Sequence, residues 1–544
     1  MKWVHLPVNV TFTGLSDISQ EWNKNNVTML PSMVRGIWRA AVNNLRIRGT
    51  PACRLVSTCD GVPVGLADAE TIFALSSGHG RCGVAVVRAS GPASATALRC
   101  MTGLTHSRPP PRKALLRSIK DPQSKEVLDH GLVLWFPAPH SFTGEDSVEF
   151  HIHGGPAVIT AVLHALGSVP GMRPAEAGEF TRRAFQAGKL GLTEVEGLGD
   201  LIHAETEAQR RQALRQMSGE LGRLYQDWSH KLKRYLAHVE AFIDFSEDEL
   251  IEDGVLNQVD KWVCDLQAEM ERHLQDERRG ERLRSGVQVV IAGATNAGKS
   301  SLLNKLCQRP AAIVSPIAGT TRDIVETALD IGGFPVLLSD TAGLRESPDP
   351  VEREGVRRAR QRVEQADLTL VVVDCAHLPS DAKQAVTFLQ GHLSSVLPTQ
   401  EQPEPVFPAD RFLLVLNKTD LLPEEQRLKL DRELRRVSGL PPVCQISCYT
   451  NEGLQDFLAV LHSSVKILCG DPLCCAPTLT QARHRAHLQQ CFAALAQYQR
   501  YRDIDLALAA EGVRLALTSL GRITGRVGAE EILDIIFKDF CIGK

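Results

Sequence analysis

The chain has 544 residues, 43% of them hydrophobic and 23% charged, with a formal net charge of -3. That length exceeds one compact core and predicts about three or four domains. The near-neutral balance excludes a general polycation, so an RNA partner would need a local basic surface or a helper protein. No apolar run approaches the roughly 18 residues of a membrane span, which predicts a soluble mature protein. The fourteen cysteines are scattered, and no CxxC pair is matched to a histidine or a second pair. They read as small buried residues of a reducing compartment, not as a zinc site.

Residues 22 to 59 contain no Asp or Glu but carry Lys24, Arg35, Arg39, Arg46, Arg48 and Arg54. From Met33, MVRGIWRAAVNNLRIRG sets Val34, Trp38, Ala41 and Leu45 on one helical face. Such an arginine-rich, acid-free leader reads as a mitochondrial transit peptide within residues 1–68; the alternative is a disordered tail of accidental composition. Residues 1–32 fit neither pattern, since they include Asp17 and Glu21, and Met33 makes the better start. From Thr71 short apolar runs alternate with turns, as in GVAVVRASG, LVLWFPAP and VEFHIHGG, which predicts a small α/β domain over 69–190. His151 and His153 stand on one side of that strand without a third ligand and read as structural. Residues 191–285 carry helical spacing, with Leu201, Ala204 and Ala208 followed by Leu214, Met217 and Leu221.

The run Val287 to Ala292 leads into GATNAGKS at Gly293 to Ser300 and then the helix-like SLLNKLC. Strand, glycine-rich loop and helix in that order make a phosphate cradle. Gly293 and Gly298 let backbone N–H groups turn toward phosphates, and Lys299 places a charge near the β- and γ-oxygens. Ser300 offers a hydroxyl to magnesium; Asn296, Ala297 and Ser301 complete the candidate loop. Gly319-Thr320-Thr321-Arg322-Asp323 follows, with Thr321 as the second hydroxyl for magnesium. Asp340-Thr341-Ala342-Gly343 comes after the strand-like Phe334 to Ser339 and supplies a carboxylate for the metal shell and a glycine N–H for the γ-phosphate.

Asn417-Lys418-Thr419-Asp420 names the base. The Asp420 carboxylate accepts from both N–H groups on guanine's pairing edge, whereas adenine would leave it unpaired, a discrimination that can reach about 10⁴-fold. Each motif alone reads as an ordinary turn; in this order they specify a guanine-nucleotide switch domain over 286–465. Its stretch 397–410, rich in Pro, Gln and Glu, reads as a surface loop. Residues 466–544 return to helix-like text in LALAAEGVRLALTSLGRI and EEILDIIFKDF. The simplest account is a helical domain made of both flanks, with the nucleotide domain inserted, so that switch movements bear on a rigid frame.

Ras-like switches orient the attacking water with a glutamine after the DxxG glycine. Here that residue is Leu344, which cannot polarise water. Arg345, Glu346 and Glu352 follow on the same segment, and Glu352 can hold water directly or through a second water. An arginine finger contributes about 10³ to 10⁵ in rate where one is used. Asn296 offers a neutral oxygen that can bind a monovalent cation instead, or it is a loop-stabilising amide.

Asn296 in the P-loop, GTTRD at 319–323, DTAGLRE at 340–346 and the terminal FCIGK at 540–544 resemble the MnmE (TrmE) family of tRNA-modification GTPases. The likeness continues upstream in GRCGVAVVRASG (80–91), SFTGEDSVEFHIHGGP (141–156) and RPAEAGEFTRRAFQAGKLGLTEVEG (173–197). It spans Thr71 to Lys544, and with the leader it points to the mitochondrial member, located in the matrix. The resemblance implies an N-terminal folate-binding and dimerisation domain (69–190), a helical domain (191–285 and 466–544) and an inserted Ras-like G domain (286–465) that pairs across a homodimer when potassium is bound. It implies a partner of the MnmG (GidA) type carrying FAD, and modification of C5 of the wobble uridine in mitochondrial tRNA. The group added is taurinomethyl, of the 5-carboxymethylaminomethyl type, and 5,10-methylene-tetrahydrofolate is the one-carbon donor.

Position by position, the resemblance has Asn296 bind potassium with the backbone oxygens of Ser315 and Ile317 and with Thr320, beside Gly319. Ser300 and Thr321 bind magnesium, and Glu352 positions water. Arg88, Glu149, Lys189 and the terminal Lys544 contact folate, and Cys541 lies at the modification site. Three departures stand out. GRCGVA replaces GRGGVG, so Cys82 and Ala85 bear on a tight turn; Ala294-Thr295 replaces Arg-Pro; and Ser447-Cys448-Tyr449 replaces the SA-type motif of the family's base-stacking loop. A ribosome-assembly GTPase of the Era or Der type is the main alternative, but it predicts a KH-like module with basic helices after the G domain, and the tail shows no such module. A folate enzyme with a purely regulatory G domain is the other. The basic run Arg353, Arg357, Arg358, Arg360 and Arg362 reads as a solvated helix face.

Overall fold

The computed structural model describes residues 70–104, 109–245, 254–276, 278–308, 326–340, 361–396, 411–437, 440–471, 478–527, 536–537, 540 and 542–543. The chain divides into two units, 1–67 and 68–544. The first unit, with the expected leader, lies outside the described residues, as do the 397–410 loop and Arg353, Arg357, Arg358 and Arg360 of the basic run.

The N-terminal region runs β1 (Thr71–Leu75), β2 (Cys82–Ser90), α1 (Ser94–Thr102), β3 (Leu115–Lys120), β4 (Val127–Phe136), β5 (Ser147–Gly154), α2 (Pro156–Gly167), β6 (Met172–Pro174) and α3 (Glu179–Gln186). Its six strands form one sheet in the order β3-β4-β5-β2-β1-β6. The period of two sorts each strand. On β5, Val148, Phe150 and Ile152 are buried in the core beneath α1 and α2, so Glu149, His151 and His153 project from the opposite face. Arg88 on β2 lies directly opposite Glu149 in the antiparallel register and shares that face. The GRCGVA departure falls on a register shift between Cys82 and Val84. Cys82 packs so closely on Gly154 that a Cβ there would lie 2.3 Å from its sulfur. The extra side chain is thus taken up by a bulge against a glycine, while Ala85 is buried in the core.

A helical region follows: α4 (Leu192–Ile202), α5 (Glu207–Met217), α6 (Glu220–Phe245), α7 (Gly254–Leu274) and α8 (Arg279–Ser285). The segment with helical spacing from Leu201 to Leu221 is divided: the chain breaks at His203–Glu205 and restarts on a Thr206 cap that accepts from the Gln209 N–H. The break resets the helical phase. Leu214 is consequently 41% exposed, and Ala208 is buried in the nucleotide domain's core instead. The largest helical core draws Tyr225, Trp228, Leu232 and Val263 from α6 and α7. It draws Leu488, Leu495, Val513 and Leu520 from the last two helices.

The nucleotide domain contains β7 (Val287–Gly293), α9 (Lys299–Cys307), β8 (Glu326–Ile331), β9 (Phe334–Asp340), β10 (Leu368–Asp374), α10 (Ala382–Val396), β11 (Phe412–Asn417), α11 (Glu424–Leu434), β12 (Val443–Gln445) and α12 (Leu454–Cys469); α13 (Ala482–Tyr501) and α14 (Leu506–Thr524) follow it. The sheet order is β12-β11-β10-β7-β9-β8, parallel except for the β8–β9 hairpin. β10 and β11 are buried along their whole length, as expected for parallel strands covered on both faces. Chain order reverses on either side of β7, so the loop after β7 opens at the switch point where α/β sheets bind ligands. Among the described residues no helix is long and apolar enough to cross a membrane.

Candidate functional site

β7 ends on Gly293 and α9 begins at Lys299, which fixes the GATNAGKS loop between the central strand and a helix N-terminus. The Lys299 side chain is buried and its ammonium donates to the carbonyls of Gly293 (3.1 Å) and Ala294 (2.9 Å), inside the curl of the loop. Asn296 is exposed with φ +65°, so its amide stands at the rim. Ala297 is buried, while Ser300 and Ser301 are exposed. Gly298 has φ +97°, and a Cβ there would fall 2.0 Å from Nδ2 of Asn417. Only glycine fits both the left-handed turn and that approach.

That contact reveals a role that sequence reading missed. Asn417, 1% exposed, donates from Nδ2 to the Ala297 carbonyl (2.9 Å) and accepts at Oδ1 from the Cys448 N–H (3.2 Å). It thereby clamps the phosphate loop to the base-side loop. Ser447 Oγ donates to Asp420 Oδ1 at 2.6 Å and accepts from the N–H groups of Tyr449 and Thr450. The exposed Asp420 is therefore aimed by a buried hydroxyl. Lys418, at φ +64°, pairs with Asp374 Oδ2 at 2.7 Å; Asp374, the last residue of a buried strand, had no motif to mark it. The Cys448 side chain is turned into the core, where burial pushes its thiol up, so it is the backbone of Cys448 that faces the loop. Tyr449 is 88% exposed beside it.

The structure thus brings Gly293 to Ser301 together with Asn417, Lys418, Asp420, Ser447 and Cys448 at one end of the sheet. Asp340 closes β9, whose register pairs it with Ile291 of β7. The candidate residues Ser315, Ile317, Gly319, Thr320, Thr321, Thr341, Ala342, Gly343 and Glu352 lie outside the described residues, as do Cys541 and Lys544.

On the open face of the N-terminal sheet, Arg88 Nε donates to Glu149 Oε1 at 3.0 Å, and His151 Nε2 lies 3.4 Å from Oε2. The guanidinium stands 5.6 Å from the ring of Phe142 and 5.8 Å from that of Phe180, within cation–π range. Lys189 is exposed and donates to the carbonyl of Pro139, in the same β4–β5 loop that carries Phe142. A guanidinium held against two phenyl rings and paired with a carboxylate can recognise a planar, hydrogen-bonding heterocycle. Phe142 and Phe180 were missed from sequence although both stand inside quoted motifs. The C-terminal segment reaches this domain: Ile542 bridges Ala177, and Ser76 Oγ donates to the Gly543 carbonyl at 2.9 Å. His153 pairs with Asp129 at 2.8 Å. Among the described residues no group of three His, Cys, Asp or Glu could hold a metal.

Comparison with known proteins agrees with this geometry. The family model for the GTP-binding protein TrmE N-terminus matches residues 71–189, and that for the MnmE helical domain matches 192–541. The chain is 69% identical over 475 residues to the 5-taurinomethyluridine-[tRNA] synthase subunit GTPB3, mitochondrial, of Danio rerio, covering 87% of this chain and 93% of that protein. It is 56% identical to the Homo sapiens protein of the same name, covering 94% and 100%. Identity to the tRNA modification GTPase MnmE of Parvibaculum lavamentivorans is 49%, covering 87% and 100%. The phosphate loop, the base-reading loop and these matches together show that the chain belongs to the MnmE (TrmE) family of tRNA-modification GTPases.

Proposed function

We propose that this chain hydrolyses GTP as one subunit of the enzyme that installs the 5-taurinomethyl group on the wobble uridine of mitochondrial tRNA, working in the matrix with a partner of the MnmG type that carries FAD. The observation that carries the reading is the Asn417 clamp, which joins a phosphate cradle to an Asp420 carboxylate oriented by Ser447. The relatives' names supply the tRNA and the modified base.

Residues 286–465 form the G domain on this reading, set between helical segments 191–285 and 466–544; the core shared by α6, α7, α13 and α14 supports that insertion. Ser300 and Thr321 would hold magnesium, which neutralises phosphate charge when bound. Asn296, free of the P-loop core at its rim, suits a monovalent cation, here potassium, with Ser315, Ile317 and Thr320. Glu352 stands in for the glutamine that Leu344 replaces. Residues 69–190 would bind 5,10-methylene-tetrahydrofolate through Arg88, Glu149, Lys189 and Lys544 and would join two copies in a dimer, with Cys541 close by.

The test is GTP hydrolysis by the purified chain in potassium and in sodium, for wild type and Asn296→Ala. Potassium should raise the wild-type rate strongly and have no such effect on the variant. Equal wild-type rates in the two salts would refute the cation reading.

A further inference from the structure

The nucleotide domain is fastened to the helical domain at an unusual place. Strand β8 begins shortly after Thr321, and β9 ends on Asp340. Both magnesium-side motifs therefore continue into one hairpin. The turn of that hairpin is held from outside: the Gly333 carbonyl accepts the Ala208 N–H of α5 at 2.9 Å, and Ala208 is itself buried in the nucleotide-domain core. From the same first turn of α5, Gln209 Nε2 donates to the Arg284 carbonyl at 3.0 Å. Arg284 Nε in turn donates to Asp200 of α4 at 2.6 Å.

Helix α4 is tied to the chain's far end. Its Val195 and Leu198 pack with Phe537 and Phe540, and the Phe540 ring lies over Gly199, one residue before Asp200. Beneath these contacts a cleft of about 460 Å³, lined by Asp200, His203, Gln209, Gln212, Arg284 and Thr480, separates α4 and α5 from α8. The junction thus joins a packed contact, with Ala208 and Leu283 buried in the nucleotide-domain core, to a few polar contacts around open space. The packed side moves with the hairpin as one body, while the polar side has room to shift.

We propose that the α4–α5 pair relays the nucleotide state of the β8–β9 hairpin to the C-terminal segment, with Arg284 and Asp200 as positioning residues at its hub. The relay rests on the GTPase reading proposed above. Coupling between sites is a difference that both ends bias, so it must be measured as one.

The experiment is amide hydrogen exchange at Phe537, Phe540 and Gly543 in the full chain, with GDP or with a non-hydrolysable GTP analogue, in magnesium and potassium. In wild type the two nucleotides should give exchange rates differing by at least about fivefold, the low end of ordinary coupling. In Arg284→Ala and in the shape-conserving Asp200→Asn that ratio should fall below about twofold while GTP hydrolysis stays within about threefold. A purely structural role would speed exchange in both nucleotide states alike and leave their ratio unchanged. An unchanged ratio in both variants, or no nucleotide effect in wild type, overturns the relay. Absence of GDP binding by wild type, checked first by titration, overturns the GTPase reading and the relay with it.

Discussion

Asn417→Ala offers the sharpest test of how the nucleotide site is held. The side chain is 1% exposed and satisfies two buried groups, the Ala297 carbonyl and the Cys448 N–H. Truncation leaves both without their partner, and each orphaned buried group costs about 1–3 kcal/mol. The sum is about 2–6 kcal/mol, borne by the two loops that must close on phosphate and base together. If it is expressed in affinity, at about 1.4 kcal/mol per tenfold, GDP should bind at least about 30-fold more weakly. Titration with a fluorescent GDP analogue is the right assay, since a single melting temperature is ill defined for a chain of several domains. Asn417→Asp keeps the acceptor for Cys448 but sets a negative charge against the Ala297 carbonyl, so it should do no better. Lys429→Ala, on an exposed pair with Glu425, should change nothing. Affinity within about threefold of wild type for Asn417→Ala would refute the clamp, because orphaning even one buried group costs about 1 kcal/mol or more, which exceeds that.

Asp420→Asn should weaken GTP by about 10²-fold or more while gaining xanthosine triphosphate, whose carbonyl suits an amide donor; competition binding reads this directly. Glu196 on α4 is 5% exposed, bonded to Arg483 at 2.6 Å and His484 at 2.9 Å. Burial pushes its carboxyl up, but His484 and Arg483 outweigh that and hold it at about 2, whereas burial pushes the His484 imidazole down. Glu196→Gln should therefore destabilise the helical domain by about 3–5 kcal/mol, seen as lost exchange protection in α4 and α13. Because the folded carboxyl titrates below the unfolded one, its contribution is present above about pH 4.5 and lost as pH falls from there through about 2. Burial pushes the thiols of Cys375, Cys469 and Cys491 up to about 12. At pH 8 these should resist alkylation in the native protein while the exposed Cys82, Cys100 and Cys264 react, as peptide mass spectrometry would show.

Much of this was legible before any coordinates, because phosphate and base recognition need particular residues at particular turns. Gly293, Lys299, Asn417 and Asp420 announce themselves through motif order, and the strands around them through apolar runs bounded by glycine and polar residues. The failures have a common physical source. Asn417 as a clamp, Asp374 as the partner of Lys418, and Ala208 in a neighbouring domain's core are all long-range contacts, and no local period encodes them. The break at His203–Glu205 and the Thr206 cap, which divide the helical segment into α4 and α5, are likewise not revealed by a run of apolar positions. Phe142 and Phe180 escaped because a phenyl ring that stacks on a guanidinium looks, in sequence, like one more core residue.

Two charge clusters show how burial separates support from recognition. Glu196 with Arg483 and His484 is sealed, with side-chain exposures of 3%, 19% and 0%. It joins α4 to α13, and removing one member strands a buried charge. Arg88 and Glu149, each 17% exposed, pair across β2 and β5, with the guanidinium near the rings of Phe142 and Phe180. A pair of that kind contributes little to folding, since apolar replacements of partly buried ion pairs are often neutral or stabilising by about 1–4 kcal/mol. Its hydrogen-bonding directions are nonetheless fixed in advance by β-register and by the rings beneath the guanidinium. Preorganised polar groups lose little entropy when they meet a ligand. The first cluster therefore holds α4 to α13, and the preorganised Arg88–Glu149 pair is what the folate site proposed above would need.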